Sequence, residues 1–434
     1  MRSAGRSVLP WRRLVAFIAL PVLSAVVPLS VIPLLVRVLG ADGWSSIAIG
    51  MSIGAAGSII VNWGWGVIGP AEVARLDMPG AARLYSLSFF TRLVLFLPVA
   101  VICFLLAEFL DQTSGATIAG LMAVAAASSG LSPAWYFIGI GRAAGVALWD
   151  TMPRILAAVA AVPLLLVESS GVWYALSNLF FCTGAWVAAG LLISRRGSYG
   201  PPSQYWHAGV ASLKQQGSLA LSGIISGGYT SLTVAIVGAV NFPAVAPFAA
   251  ADRFRAMGKQ GEMAVTNGLQ GWVGSSTGAD QGTRMLRALI TMSGTGLFAG
   301  VGFAIVMPIV LPILFGPSVT IEPLVFLFMG VALLMTGVSM STGLHILAPS
   351  RRRHSISLAT ILGALIGVPA VAVGAAAYGA VGASAGLALA EAVVVGVQLP
   401  IAFSILRGKR IHPARGGDSK TQIEFLNTDK VDDT

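Results

Sequence analysis

Asp252, Arg255, Lys259 and Glu262 follow one another at spacings of three, four and three residues within 250–263, AADRFRAMGKQGEM. On an α-helix this spacing puts all four on one stripe, with Arg253 about 100° away. Two acids and two bases in a row can hold an anion, neutralise one another or bind a small cation. At the centre of a membrane helix each charge costs about 2.5–3.5 kcal/mol, so the stripe would need water, a ligand or opposing charge. At an interface the same stripe would simply be solvated, and the sequence leaves both readings open.

Further ionisable residues interrupt apolar runs. Arg37 ends the first run, where it either snorkels to headgroups or turns inward as a cation. Arg92 lies in the third run and Arg154 opens the fifth, each with the same two readings. Glu391 is the acid deep in the last run, placed to pair with a cation or to bind a coupling ion. His345, close after Ser341 and Thr342, fits a helix–helix hydrogen bond better than a proton relay. Enzymatic chemistry finds little support. The chain has no P-loop, HExxH or GxSxG pattern, and His207, His345, His354, His412, Cys103 and Cys182 do not cluster at metal-ligand spacing. No cofactor is expected.

The elements that must position these residues follow from composition. The 434 residues are 56% hydrophobic and 10% charged, against about 25% charged in soluble domains. Apolar stretches of roughly 20 residues, the length that crosses a bilayer, recur along the chain. Expected spans are 14–36, 44–68, 87–109, 116–139, 151–167, 172–193, 217–240, 243–275, 287–314, 322–347, 356–378 and 380–406. The expectation is therefore an all-α polytopic membrane protein of about twelve helices. Strict apolar/polar alternation, the mark of a membrane barrel, is missing. Arg2, Arg6, Arg12 and Arg13 precede the first run as in a signal peptide, but its length favours a retained helix over a cleaved one. Pro21, Pro28 and Pro33 in that run predict bending.

The net charge of +10 is mostly a topology signal. With the N-terminus inside, the cytoplasmic segments hold 22 of the 27 Lys and Arg residues, as the positive-inside rule requires. No nucleic-acid partner is needed to explain the basicity. The remainder is Arg37 at the outer end and Arg92, Arg253, Arg255 and Lys259 within spans. Both termini are expected in the cytoplasm. The polar segment 194–216 divides the map into an N-terminal unit, 1–193, and a C-terminal unit, 217–406, with 407–434 a polar cytoplasmic tail.

At several places the sequence resembles the Wzx-type flippases of lipid-linked oligosaccharides, within the multidrug/oligosaccharidyl-lipid/polysaccharide exporter superfamily. Residues 33–52, PLLVRVLGADGWSSIAIGMS, are similar to that family's R-x-LG turn and second helix. Residues 62–75, NWGWGVIGPAEVAR, resemble the segment that follows. Residues 132–154, SPAWYFIGIGRAAGVALWDTMPR, resemble its P-x-W-x-x-x-G ending of helix four and the Arg that opens helix five. Residues 247–273 look like its eighth helix, with Phe248 in the aromatic place and Arg253 in the basic one, and 308–318, PIVLPILFGPS, is similar to its LFG ending of helix nine. Ile138 stands where the family usually has Gln.

The resemblance implies two six-helix lobes around a central cavity and alternating access. It implies that an undecaprenyl-pyrophosphate-linked glycan moves from the cytoplasmic to the external leaflet of a bacterial inner membrane. Arg37, Arg154 and Arg253 match basic positions of the family, and the helical stripe adds Arg255 and Lys259 as pyrophosphate contacts. Asp252 and Glu391 would tune charge or bind a coupling ion, proton or sodium. Membrane lipid and polysaccharide assembly proteins are the further partners implied. The rivals are a cation-coupled drug exporter of the same superfamily and a polytopic glycan polymerase or ligase.

Overall fold

On several helices large apolar residues face outward and small ones inward, although the core also holds Trp44, Trp65, Trp186, Phe248 and Phe326. Helix three (Met78–Leu110) buries Ala100, Cys103 and Ala107 and exposes Leu97, Val101, Leu105 and Phe109. Helix nine (Ala279–Phe315) likewise exposes Phe298, Ile305, Ile309 and Ile313. Lipid solvates such surfaces, and the small residues let helix backbones approach. At Gly300 and Gly330, as at Gly374 and Gly382, a side chain on either glycine would strike the backbone of the other.

The computed structural model describes residues 11–113, 117–195, 202–275 and 279–408. Arg2, Arg6, Arg196 and the tail from Lys409 lie outside the described residues. The helix Trp11–Asn62 turns at Gly40, whose φ of 72° only glycine adopts cheaply, into helix one (11–39) and helix two (41–62). The helix continues through Pro21, Pro28 and Pro33, and its one departure from helical dihedrals is at Gly40. Helices four to six are Thr117–Gly139, Ala143–Glu168 and Val172–Ser194. Helix seven covers 202–240, helix eight is Val245–Gly274 and helix ten is Pro323–Leu347. The helix Arg353–Leu406 bends at Tyr378 and Gly379 into helices eleven (353–377) and twelve (380–406).

Eight of the described helices are long and apolar enough to cross a membrane. Two of them are the bent pairs just described, and with helices seven and eight the described residues hold twelve long helices. The chain is a multi-pass, all-helical membrane protein with six helices in each of two lobes. Several boundaries differ from the expected ones. Helix three starts nearer the N-terminus, at Met78, where Asp77 Oδ1 accepts from Gly80 N at 2.9 Å. Helix five starts at Ala143 and includes a π-turn at Ala147–Thr151. Helix seven starts at Pro202, within the segment read as a linker.

Helix two is the main bridge between lobes. Trp44 Nε1 donates to the Ala246 carbonyl of helix eight at 3.3 Å. Ser52 Oγ donates to the Ser231 carbonyl at 2.6 Å and accepts from Ala235 N at 3.1 Å, where helix seven breaks its regular pattern. Trp63 Nε1 donates to the Leu213 carbonyl at 3.0 Å.

Candidate functional site between and within the lobes

Helix eight has a rise of about 1.5 Å per residue, which puts Arg253 about 12 Å and Glu262 about 26 Å from its start at Val245. The stripe faces helices of its own lobe. Arg255 donates from Nε and Nη2 to Asp252 Oδ1 at 2.9 and 2.7 Å and is 5% exposed. It lies within electrostatic reach of Glu391 on helix twelve and Tyr229 on helix seven, and its Nη1 has no hydrogen-bond partner among the described residues. Glu262, 1% exposed, lies near Lys259, Glu391 and Arg255, and neither of its carboxylate oxygens has a partner among the described residues. Glu391 is 6% exposed. The stripe thus enters a charge cluster of Asp252, Arg255, Lys259, Glu262 and Glu391, in which Arg255, Glu262 and Glu391 are buried and acids outnumber bases.

Arg253 points elsewhere. It faces Tyr174 of helix six, in the other lobe, and takes part in none of the three ion pairs among the described residues. A half-buried guanidinium on the face between lobes can meet an anion with its five donors, although the Asp252 carboxylate next to it in sequence also lies within electrostatic reach.

Arg37 is exposed and donates from Nη2 to the Ile313 carbonyl at 2.6 Å. That carbonyl is among the last of helix nine, where the helix dipole favours a cation. The R-x-LG turn and the LFG turn, far apart in sequence, therefore meet here and tie the lobes together. Arg154 stays within the first lobe, its side chain about one-third exposed. It pairs with Asp150 at 3.2 Å and lies over the Trp186 ring at 5.2 Å. The spacing of Asp150 and Arg154, four residues on one helix, was a signal for that pairing.

Arg92 is neither a snorkel nor a cavity cation. It is 0% exposed, and its guanidinium donates to the Ser88, Gly130 and Ser132 carbonyls at 3.3, 2.9 and 3.0 Å. The last two belong to the 3₁₀ turn and break at Ser128–Ser132 in helix four, where the α-helical hydrogen-bond pattern is interrupted. The rings of Tyr85 and Trp135 each lie 5.7 Å from Arg92. Trp135 stacks on Trp65 at 5.7 Å and fills the space left by Gly69. Ser132 Oγ then donates to Asp150 at 2.6 Å, linking the break to Arg154. Two of the family-like segments, 62–75 and 132–154, are thus one packed unit. His345, fully buried, meets Ser341 Oγ through Nδ1 and the Thr266 carbonyl through Nε2, each at 3.1 Å, and so joins helix ten to helix eight.

No family model matches this sequence, and no curated protein matches it. Solved structures do match. A multidrug resistance MATE family transporter of the MOP superfamily, inward-facing, aligns over 91% of this chain and 99% of its own, at TM-score 0.65 and 14% identity. The lipid II flippase MurJ, inward closed, aligns over 91% of this chain and 87% of its own, at TM-score 0.67 and 10% identity. A MOP superfamily transporter from Pyrococcus furiosus, whose binding pocket is described as reversed in polarity, aligns over 91% and 96%, at TM-score 0.52 and 15% identity. This chain therefore has the fold of the MOP superfamily transporters.

Proposed function

We propose that this protein moves a polyprenyl-pyrophosphate-linked oligosaccharide from the cytoplasmic to the external leaflet by alternating access of its two lobes. The observation that carries the reading is Arg253, a half-buried guanidinium on the interlobe face, outside the ion pairs of the described residues. A pyrophosphate is the part of such a substrate that pays most to enter an apolar layer, and a guanidinium matches its oxygens in geometry and charge. Lys259, half-buried on the same helix, can add positive charge toward the basic-loop end. Arg255 acts through Asp252 and the cluster behind it, and Arg37 through the contact that holds the lobes together. The fold shared with MurJ, which is described as a lipid II flippase, agrees with a lipid-linked substrate.

A second reading has its own observation. Glu262 and Glu391 are buried carboxylates, and a cation-coupled drug exporter needs such groups to bind a proton, sodium ion or cationic drug. The two readings separate in vesicles containing the purified protein. The flippase reading expects a labelled polyprenyl-pyrophosphate oligosaccharide to become accessible on the opposite leaflet, with no efflux of a cationic dye such as ethidium. Dye efflux without glycolipid movement would select the exporter.

A further inference from the structure

On the first lobe, away from the interlobe face, a cavity of about 860 Å³ opens between helices three, four, five and six. That size lies within the roughly 300–1,000 Å³ of ligand-binding cavities. Tyr136, Phe137, Trp149 and Leu192 form its apolar wall, and the charged residues among those lining it are Arg142 and Arg195. Both arginines are exposed, and neither belongs to the ion pairs of the described residues.

The local backbone builds the site. Helix four ends in a Schellman turn: Arg142 N donates to the Phe137 carbonyl at 2.8 Å and Gly141 N to the Ile138 carbonyl at 3.0 Å. Gly141, at φ 69°, makes the turn possible and delivers Arg142 to the cavity. Gly145 lies so close to Phe137 that a side chain there would strike the ring, which fixes that wall. Arg195 follows directly on the end of helix six at Ser194. Both arginines therefore stand at the bundle end that carries the basic loops, at headgroup level. Leu148 and Leu192, which also line the cavity, are 58% and 46% exposed, so it is open toward lipid.

An apolar, laterally open cavity with two guanidinium groups outside the ion pairs of the described residues selects for an amphiphile with an anionic head. We propose that this cavity is a binding site for an anionic phospholipid of the surrounding bilayer, its phosphate held by Arg142 and Arg195 and its upper acyl chain lying along Phe137, Leu148 and Trp149. A free phosphate would gain nothing from the aromatic wall, and a zwitterionic lipid brings its own cation to the phosphate. Basic pockets between membrane helices hold anionic headgroups in this way. The site shares no residue with the interlobe contacts of the proposed transport route, so the two stand or fall separately.

The test is photolabelling of the purified full-length protein in mixed micelles. The probe is phosphatidylglycerol with a diazirine in its acyl chain, compared with phosphatidylcholine of the same chains. The proposal expects label on peptides within 136–149 and 189–195 from phosphatidylglycerol and little from phosphatidylcholine. Each arginine is worth about a fivefold change near a charged surface, so Arg142→Gln with Arg195→Gln should weaken binding about 30-fold. Both side chains are exposed, so the double variant should still elute as folded protein, whereas Arg351→Gln with Arg352→Gln on the other lobe should label as wild type. Ala144→Trp, which fills the cavity, should also abolish label. Equal labelling by phosphatidylcholine, unchanged labelling of the double variant, or full competition by millimolar inorganic phosphate would each overturn it.

Discussion

Two positions along helix eight separate an arginine that faces the opposite lobe from one enclosed by its own. Arg255 neutralises Asp252 where both are largely out of contact with solvent. Its removal leaves a carboxylate unanswered, so Arg255→Gln should destabilise by about 3 kcal/mol, the low end for a broken buried pair. The measurement is a large fall in the unfolding temperature in detergent. Glu262→Gln should do the opposite. Both oxygens of Glu262 lack partners among the described residues, and a neutral amide costs less than a charge at that depth. Its unfolding temperature should hold or rise, and a clear fall would mean that the charge is answered. The stripe of Asp252, Arg255, Lys259 and Glu262 was legible from spacing alone. Its direction was not, because a polar helical face is equally well satisfied by water in a cavity or by an acid such as Glu391 on a distant helix.

At the scale of elements, the break in helix four depends on one buried cation. Arg92 reaches across from helix three to the Gly130 and Ser132 carbonyls at the 3₁₀ turn. Hydrogen bonds from a charged donor contribute about 1.5–3 kcal/mol each, and the carbonyls would lose that donor without it. Arg92→Leu should therefore lower stability by at least about 3 kcal/mol, read as loss of the folded peak in size-exclusion chromatography or a large fall in unfolding temperature. Arg92→Lys should rescue little, since one ammonium cannot span three carbonyls while lying between Tyr85 and Trp135. Pro133 and Trp135 stood out in the sequence as a segment, but their reason did not. Trp135 needs Gly69 and Trp65 beside it, and only the tertiary contact shows why those glycines and tryptophans come together. Helices seven and eight were found by pattern despite their polarity, whereas the starts of helices three, five and seven were missed. There the helices extend past the apolar run into polar sequence that hydropathy cannot score.

Over the whole molecule, alternating access requires that the contacts between lobes break and re-form. The two lobes are tied at the Arg37 end through Arg37 and Ile313 and through Trp44 and Ala246. The Arg37 bond is exposed and so worth about 1 kcal/mol, or roughly fivefold in the balance between closed and open states. Arg37→Ala should move that balance toward opening. Spin labels at Val38 and Ser318 should then show a larger population of long distances than in the parent protein, and an unchanged distribution would remove Arg37 from the gate. Twelve helices in two lobes could be anticipated from hydropathy and the one-sided basic loops. The meeting of the R-x-LG and LFG turns could not, because nothing local in either segment encodes the other. The central claim rests on Arg253 as the interlobe contact for a pyrophosphate, and its most direct test is the rate at which a labelled polyprenyl-pyrophosphate oligosaccharide crosses vesicles containing the purified protein. The account predicts movement well above protein-free vesicles, slowed about tenfold or more by Arg253→Gln at unchanged unfolding temperature. Equal rates for parent and variant, or no movement by the parent, would contradict it.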